Sequence, residues 1–173
     1  MSSPAYSFLE AGTPLTWTSS GGDKVLTLTS MTANVAREGD KSASLVDGTK
    51  GMPELVEIRM ETKVGSAAAN GTYLDLYIGE SDSATAGTAN PGGLTGADAA
   101  VATPAEKTLQ LRLVGIMPMS NVLGTGLQVF RTIYYPVCAY LIPVVVNSTG
   151  QTLSGTGTDH KVIITPYYRK IPY

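Results

Sequence analysis

Apolar and polar residues alternate along most of the chain, and no apolar period near 3.6 persists between its Gly and Pro residues. The elements this pattern predicts are therefore strands and not amphipathic helices. From Leu55 to Val64 one face reads Val56, Ile58, Met60, Thr62, Val64, while the other reads Glu57, Arg59, Glu61, Lys63. That is a strand with one face in a core and a solvated, alternately charged outer face. On the next strand Leu74, Leu76 and Ile78 are expected to point inward and Tyr73, Asp75 and Tyr77 outward, and Asn70-Gly71 predicts a hairpin joining the two. Lys107 to Met117 repeats the pattern, with Leu109, Leu111 and Leu113 expected in the core and Gln110 and Arg112 in water. Leu15 to Ser19, Val25 to Ser30, Leu127 to Tyr135, Val137 to Asn147 and Lys161 to Tyr168 bring the count to about eight strands.

The 19 Gly and 10 Pro, with abundant Thr and Val, disfavour helices and suit short strands joined by turns. A parallel sheet needs crossover helices that this chain does not offer, so the predicted fold is all-β: a two-sheet antiparallel sandwich of the jelly-roll kind. Pro136 and Pro143 cannot donate to a ladder and are expected at a sheet edge or bulge. Glu80 to Glu106 breaks the strand rhythm. It is rich in Ala, Gly, Ser and Thr, has Asn90-Pro91-Gly92-Gly93 near its middle, and reads as a long loop. Residues 1–14 read as an irregular N-terminal arm carrying Tyr6, Phe8 and Leu9, ahead of a single domain over 15–173.

At 173 residues the chain can bury a core without staples. One Cys and one His exclude an internal disulfide, a zinc finger and a two-His metal site, and no cofactor is expected. The scattered charges, net −2, give no cationic field for nucleic acid. No Lys or Arg precedes Lys24, so no secretory signal is expected, and the longest apolar run, Val137 to Val146, is interrupted by Pro143 and too short to span a membrane. A soluble protein made in the cytoplasm is the expectation.

Candidate chemistry is thin. Asp159 and His160 are neighbours on one strand and point to opposite faces, which suits a packed histidine better than a triad. Arg37-Glu38-Gly39-Asp40-Lys41-Ser42 ends somewhat like a phosphate loop but lacks the Gly-Lys adjacency and the following helix. Glu57 and Glu61 share a face at about 13 Å along the strand, too far apart for a glycosidase pair. The remaining oddity is nine Tyr against two Phe, with Tyr134, Tyr135, Tyr140, Tyr167, Tyr168 and Tyr173 in the last third. Such residues suit a sandwich rim, an interface or a sugar-stacking platform.

Trp17, Val25-Leu26-Thr27-Leu28-Thr29-Ser30-Met31, Ala36-Arg37-Glu38-Gly39, Gly71 to Tyr77, Asn90 to Asp98 and Pro143 to Gly150 together resemble small virion structural proteins of tailed bacteriophages. The resemblance implies a jelly-roll cement or decoration protein that clamps capsomers from outside, with the major capsid protein as partner. A tail-associated carbohydrate- or receptor-binding module is the alternative. Self-association is expected, a dimer ahead of a trimer. The expected partner-binding residues are Tyr6, Phe8 and Leu9 of the arm, Asn90 and Leu94 of the long loop, and Tyr134, Tyr135, Tyr167 and Tyr168.

Overall fold

The computed structural model describes residues 7–170. Eleven strands appear in chain order: β1 (Phe8–Ala11), β2 (Leu15–Thr18), β3 (Lys24–Val25), β4 (Ala36–Glu38), β5 (Leu55–Thr62), β6 (Tyr73–Ser81), β7 (Ala99–Ala100), β8 (Arg112–Pro118), β9 (Gln128–Tyr134), β10 (Tyr140–Ser148) and β11 (Lys161–Lys170). One sheet runs β3-β2-β11-β5-β9, with β1 also on β11, and the other runs β7-β4-β10-β6-β8. Every strand pair is antiparallel except β2 with β3.

With the short β1, β3 and β7 set aside, the pairing is nested. The first long strand pairs with the last (β2·β11), the second with the next to last (β4·β10), the third with β9 and the fourth with β8. A long hairpin folded in this way and rolled over a core is the jelly roll, so the fold is the all-β sandwich that the alternation predicts. Trp17, Val56, Ile58, Met60, Leu74, Leu76, Ile78, Leu141, Val145, Val162 and Ile164 fill the space between the sheets.

The rolled pairing overturns the expected hairpin. β5 and β6 lie in different sheets, and the segment between them carries the chain across the sandwich. A two-residue Asn-Gly turn would have forced them side by side, but the loop is far longer than that turn requires.

The face expected for Lys107 to Met117 is also corrected. Residues 104–110 form a helical turn and a 3₁₀ turn, the strand begins only at Arg112, and its register on β6 shifts between Leu76 and Tyr77. That bulge places Val114 and Met117 on the core side. It leaves Leu113 49% exposed; Leu109, in the 3₁₀ turn ahead of the strand, is 84% exposed, and Leu111 packs outside the second sheet.

Pro143 was expected at an edge and sits instead in β10, between β4 and β6, while Pro166 lies inside β11. Each occupies a place where the neighbouring strand ends. β4 stops at Glu38, and Gly39 donates its N–H to the Pro143 carbonyl at 2.9 Å; β1 stops at Ala11, and Gly12 donates to Pro166 at 2.7 Å. A Cβ on Gly39 would stand 3.2 Å from the Pro143 ring, and one on Gly12 would stand 3.0 Å from the Pro166 ring. Proline inside a sheet is tolerated where no ladder donor is missed, and these two glycines make room for it.

The arm is likewise not irregular throughout, because Phe8–Ala11 pairs with Tyr167 to Lys170 as an edge strand. Tyr6 lies outside the described residues. Leu76→Ala should lower stability by about 2–5 kcal/mol through lost transfer energy and a cavity, whereas Leu109→Ala should change it by less than about 0.5 kcal/mol. Urea unfolding of the two variants checks both faces at once.

Candidate functional site

The hexapeptide that mimics a phosphate loop is a structural clamp. Arg37 grips Asp98 with two N–H groups, Nε to Oδ1 at 2.9 Å and Nη2 to Oδ2 at 2.7 Å, while Thr27 adds its backbone N–H and its hydroxyl to the same carboxylate. Burial works against ionisation of Asp98, but Arg37 and Thr27 outweigh it and hold its pKa below the ordinary range. Glu38 is 1% exposed and accepts from the Thr95 N–H at 2.9 Å, the Thr95 hydroxyl at 2.9 Å and the Gly96 N–H. Asp40 accepts from the backbone of Val25 and Asp98, and its carbonyl takes the indole N–H of Trp17 at 2.7 Å.

Lys41 is 4% exposed, and its ammonium lies 2.7–3.0 Å from the Ser81 hydroxyl and the carbonyls of Ser83, Thr85 and Thr88. No carboxylate is among these partners, and burial pushes the Lys41 pKa down. The segment 80–106 is thereby fastened at its start, middle and end. Its Leu94 and Val101 cover Ala36, Ile142 and Val144 on the outer face of the second sheet.

The clamp uses up two of the expected partner-binding residues. Leu94 is 3% exposed, and the Asn90 amide donates to the carbonyls of Ala86 and Leu94, shaping the loop around it. Two tyrosines are interior as well. Tyr168 is 5% exposed and donates to the Leu45 carbonyl at 2.8 Å; Tyr134 is 7% exposed, and burial with the nearby Glu80 carboxylate raises its pKa well above the ordinary phenol value.

The histidine is internal too. His160 is 1% exposed, with Nδ1 2.7 Å from the Thr62 hydroxyl and Nε2 3.0 Å from the Ser154 carbonyl. A carbonyl only accepts, so Nε2 carries the proton and Nδ1 accepts from Thr62. Asp159 turns away to Ser154 and Lys63. Burial of Cys138 pushes its thiol up to about 11, with Asp82 adding to the shift, so it is protonated at neutral pH.

Of the expected partner-binding residues, Leu9 and Tyr167 meet on the surface. Leu9, Leu55, Thr132, Ile133 and Tyr167 line a shallow, mostly apolar groove of about 460 Å³ on the solvent face of the first sheet. Glu57 and Arg131, paired at 2.6 Å, form its polar side, and the Tyr167 hydroxyl leans toward Glu57 at 3.4 Å. Register explains the assembly: Leu55 stands opposite Tyr167, Glu57 opposite Ile133, and Leu9 opposite Arg169, two residues further along β11 and on the same face as Tyr167. Phe8 is 51% exposed, with the Lys170 ammonium 6.0 Å from its ring centre, and Tyr135 just past β9 is 64% exposed.

Leu9 and Tyr167 are thus brought together, Phe8 and Tyr135 are exposed but do not line the groove, and Tyr134, Tyr168, Asn90 and Leu94 serve the fold. Leu55, Arg131 and Ile133 escaped the sequence reading, although the apolar positions on the nominally polar face of their strands were a usable signal. Among the described residues no group of three or more His, Cys, Asp or Glu side chains could hold a metal. The sequence matches no protein-family model and no curated protein.

Asp98→Ala should destabilise the fold by about 1.5–3 kcal/mol, since four donors lose a charged acceptor. Proteolysis should then begin within residues 80–106 before the sandwich is cut. His160 supplies a pH dependence whose sign follows from its burial: its pKa is lowered from 6.5, so the folded state resists a proton that the unfolded chain accepts. Stability contributed by the neutral ring is present above about pH 6.5 and is lost as pH falls through the lower folded pKa. The thermal midpoint should therefore drop more between pH 7 and 5 in the wild type than in His160→Gln.

Proposed function

We propose that this protein is a non-enzymatic component of a bacteriophage particle, a cement or decoration protein that binds and stabilises the major capsid protein shell from its exterior. The observation that carries the reading is how the side chains are used. The conspicuous polar clusters, Arg37–Asp98, Glu38–Thr95, the Lys41 cage and Thr62–His160–Ser154, are spent on holding the chain to itself. The surface offered to a partner is mostly apolar: Leu9, Leu55, Ile133 and Tyr167 line the groove on the first sheet. The likeness to phage virion proteins names the partner, and the jelly roll fits a rigid coat component.

Docking is assigned to the β1 end of this groove rather than to the long loop, whose apolar residues are already buried. Leu9→Asp with Tyr167→Ala should weaken co-sedimentation with shells lacking the protein by roughly tenfold, the equivalent of about 1.4 kcal/mol, and leave the circular dichroism unchanged. With a net charge of −2, binding should vary little between low and physiological salt. Failure of the wild-type chain to bind shells would overturn the reading. Binding to host cells or glycans in place of shells would establish the tail-associated module.

A further inference from the structure

Besides the four-residue β1 on β11, the two sheets have four outer edges, and they are treated differently. Two end in the two-residue strands β3 and β7, too short to template another strand. The third, β8, carries a bulge and ends at Pro118. The fourth, β9, pairs with β5 over seven uninterrupted positions from Val56·Tyr134 to Thr62·Gln128 and contains no Pro, Gly, Lys or bulge. Among the described residues its backbone bonds to nothing but β5. Val129 and Ile133 on its solvent face are 48% and 59% exposed, and its one charge, Arg131, is paired with Glu57. Sheet edges are ordinarily short, bulged, charged or covered, and β9 has none of these protections.

We propose that β9 is a homodimer interface, in which β9 of a second copy adds antiparallel across a two-fold axis at Thr132 and joins the two first sheets into one. The sequence of the strand selects this occupant and this register. Centring on Thr132 sets Phe130 of one copy against Tyr134 of the other and Thr132 against Thr132, both favourable cross-strand pairs. On the solvent face it sets the Arg131 stem against Ile133 and Val129 against Tyr135. The two Arg131 charges are then staggered, each beside its own Glu57. Centring on Arg131 would instead oppose two like charges, which is unfavourable. An isologous contact of this kind closes on itself and leaves no β9 edge free for further growth. The contact shares Arg131, Thr132 and Ile133 with the groove proposed for the shell, but its test reads the free protein, so the two readings can fail separately.

Light scattering at tens of micromolar should give twice the 18.0 kDa chain mass. Val129→Lys should give the monomer mass with unchanged circular dichroism. In a Cys138→Ser background, Thr132→Cys should form a disulfide-linked dimer on mild oxidation and Val129→Cys should not, since only position 132 meets itself. The Thr132→Cys result decides the matter even if Val129→Lys fails to fold. A wild-type monomer throughout the concentration range, a dimer indifferent to Val129→Lys, or the absence of the 132–132 cross-link would each overturn the proposal.

Discussion

The second sheet must be covered on both faces, and much of the molecule is arranged to meet that need. Its central strand β10 turns Leu141 and Val145 toward the first sheet and Ile142 and Val144 away from it, and all four are fully buried. A sandwich supplies only one cover, since the other face of an antiparallel sheet ordinarily meets water. The second cover is the segment 80–106, which has few large apolar groups of its own. Leu94 and Val101 cannot hold it by burial alone. Charge-assisted bonds make up the difference: Arg37 to Asp98, Glu38 to Thr95 and Gly96, and Lys41 to three carbonyls. Such bonds are worth roughly twice a neutral one and cost most when one partner is removed. The strand that begins at Ala36 and the turn after it therefore act as a clamp on a loop that could not otherwise stay down.

Burial within the sandwich was legible in the alternation wherever a strand was long and uninterrupted. Val56, Ile58, Met60, Leu74, Leu76 and Ile78 all face the core because period-two patterning leaves one face to bury. The reading failed at Leu113 because one extra residue in β8 reverses the faces on either side of it, and a bulge has no periodic signature; it failed at Leu109 because that residue lies in a 3₁₀ turn ahead of the strand. It failed at Asn70-Gly71 for a different reason. A turn dipeptide reports local backbone preference, whereas the choice between a hairpin and a crossing belongs to the whole rolled pairing. The prolines show the same limit, since Pro143 and Pro166 are admissible in central strands only because β4 and β1 stop beside them.

The candidate surface was less legible than the core. Tyr side chains satisfy burial and exposure equally well, so composition alone could not separate Tyr134 and Tyr168, which pack inside, from Tyr135 and Tyr167, which do not. Arg37 to Ser42 could be rejected as a phosphate loop from its spacing. Its role as a clamp could not be read, because Asp98, Thr95 and Thr85 lie far along the chain and reach it only in the folded molecule.

The same arrangement decides where partners can bind. The polar side chains of the clamp are committed to internal bonds, so recognition through them would first have to dismantle it. Apolar surface has no such obligation. Leu9, Leu55, Ile133 and Tyr167 are brought side by side by the registers of β1, β5, β9 and β11, on strands fixed by long ladders. Their backbones need little ordering on binding, so more of the gain from burial is retained. On the neighbouring edge, β9 carries backbone groups that water alone satisfies, and edge addition replaces that water with a full ladder. The sandwich ends in two-residue strands at β3 and β7 and leaves the outer side of β9 unpaired among the described residues, so the place where another strand could add is set by where the strands end rather than by any charged patch.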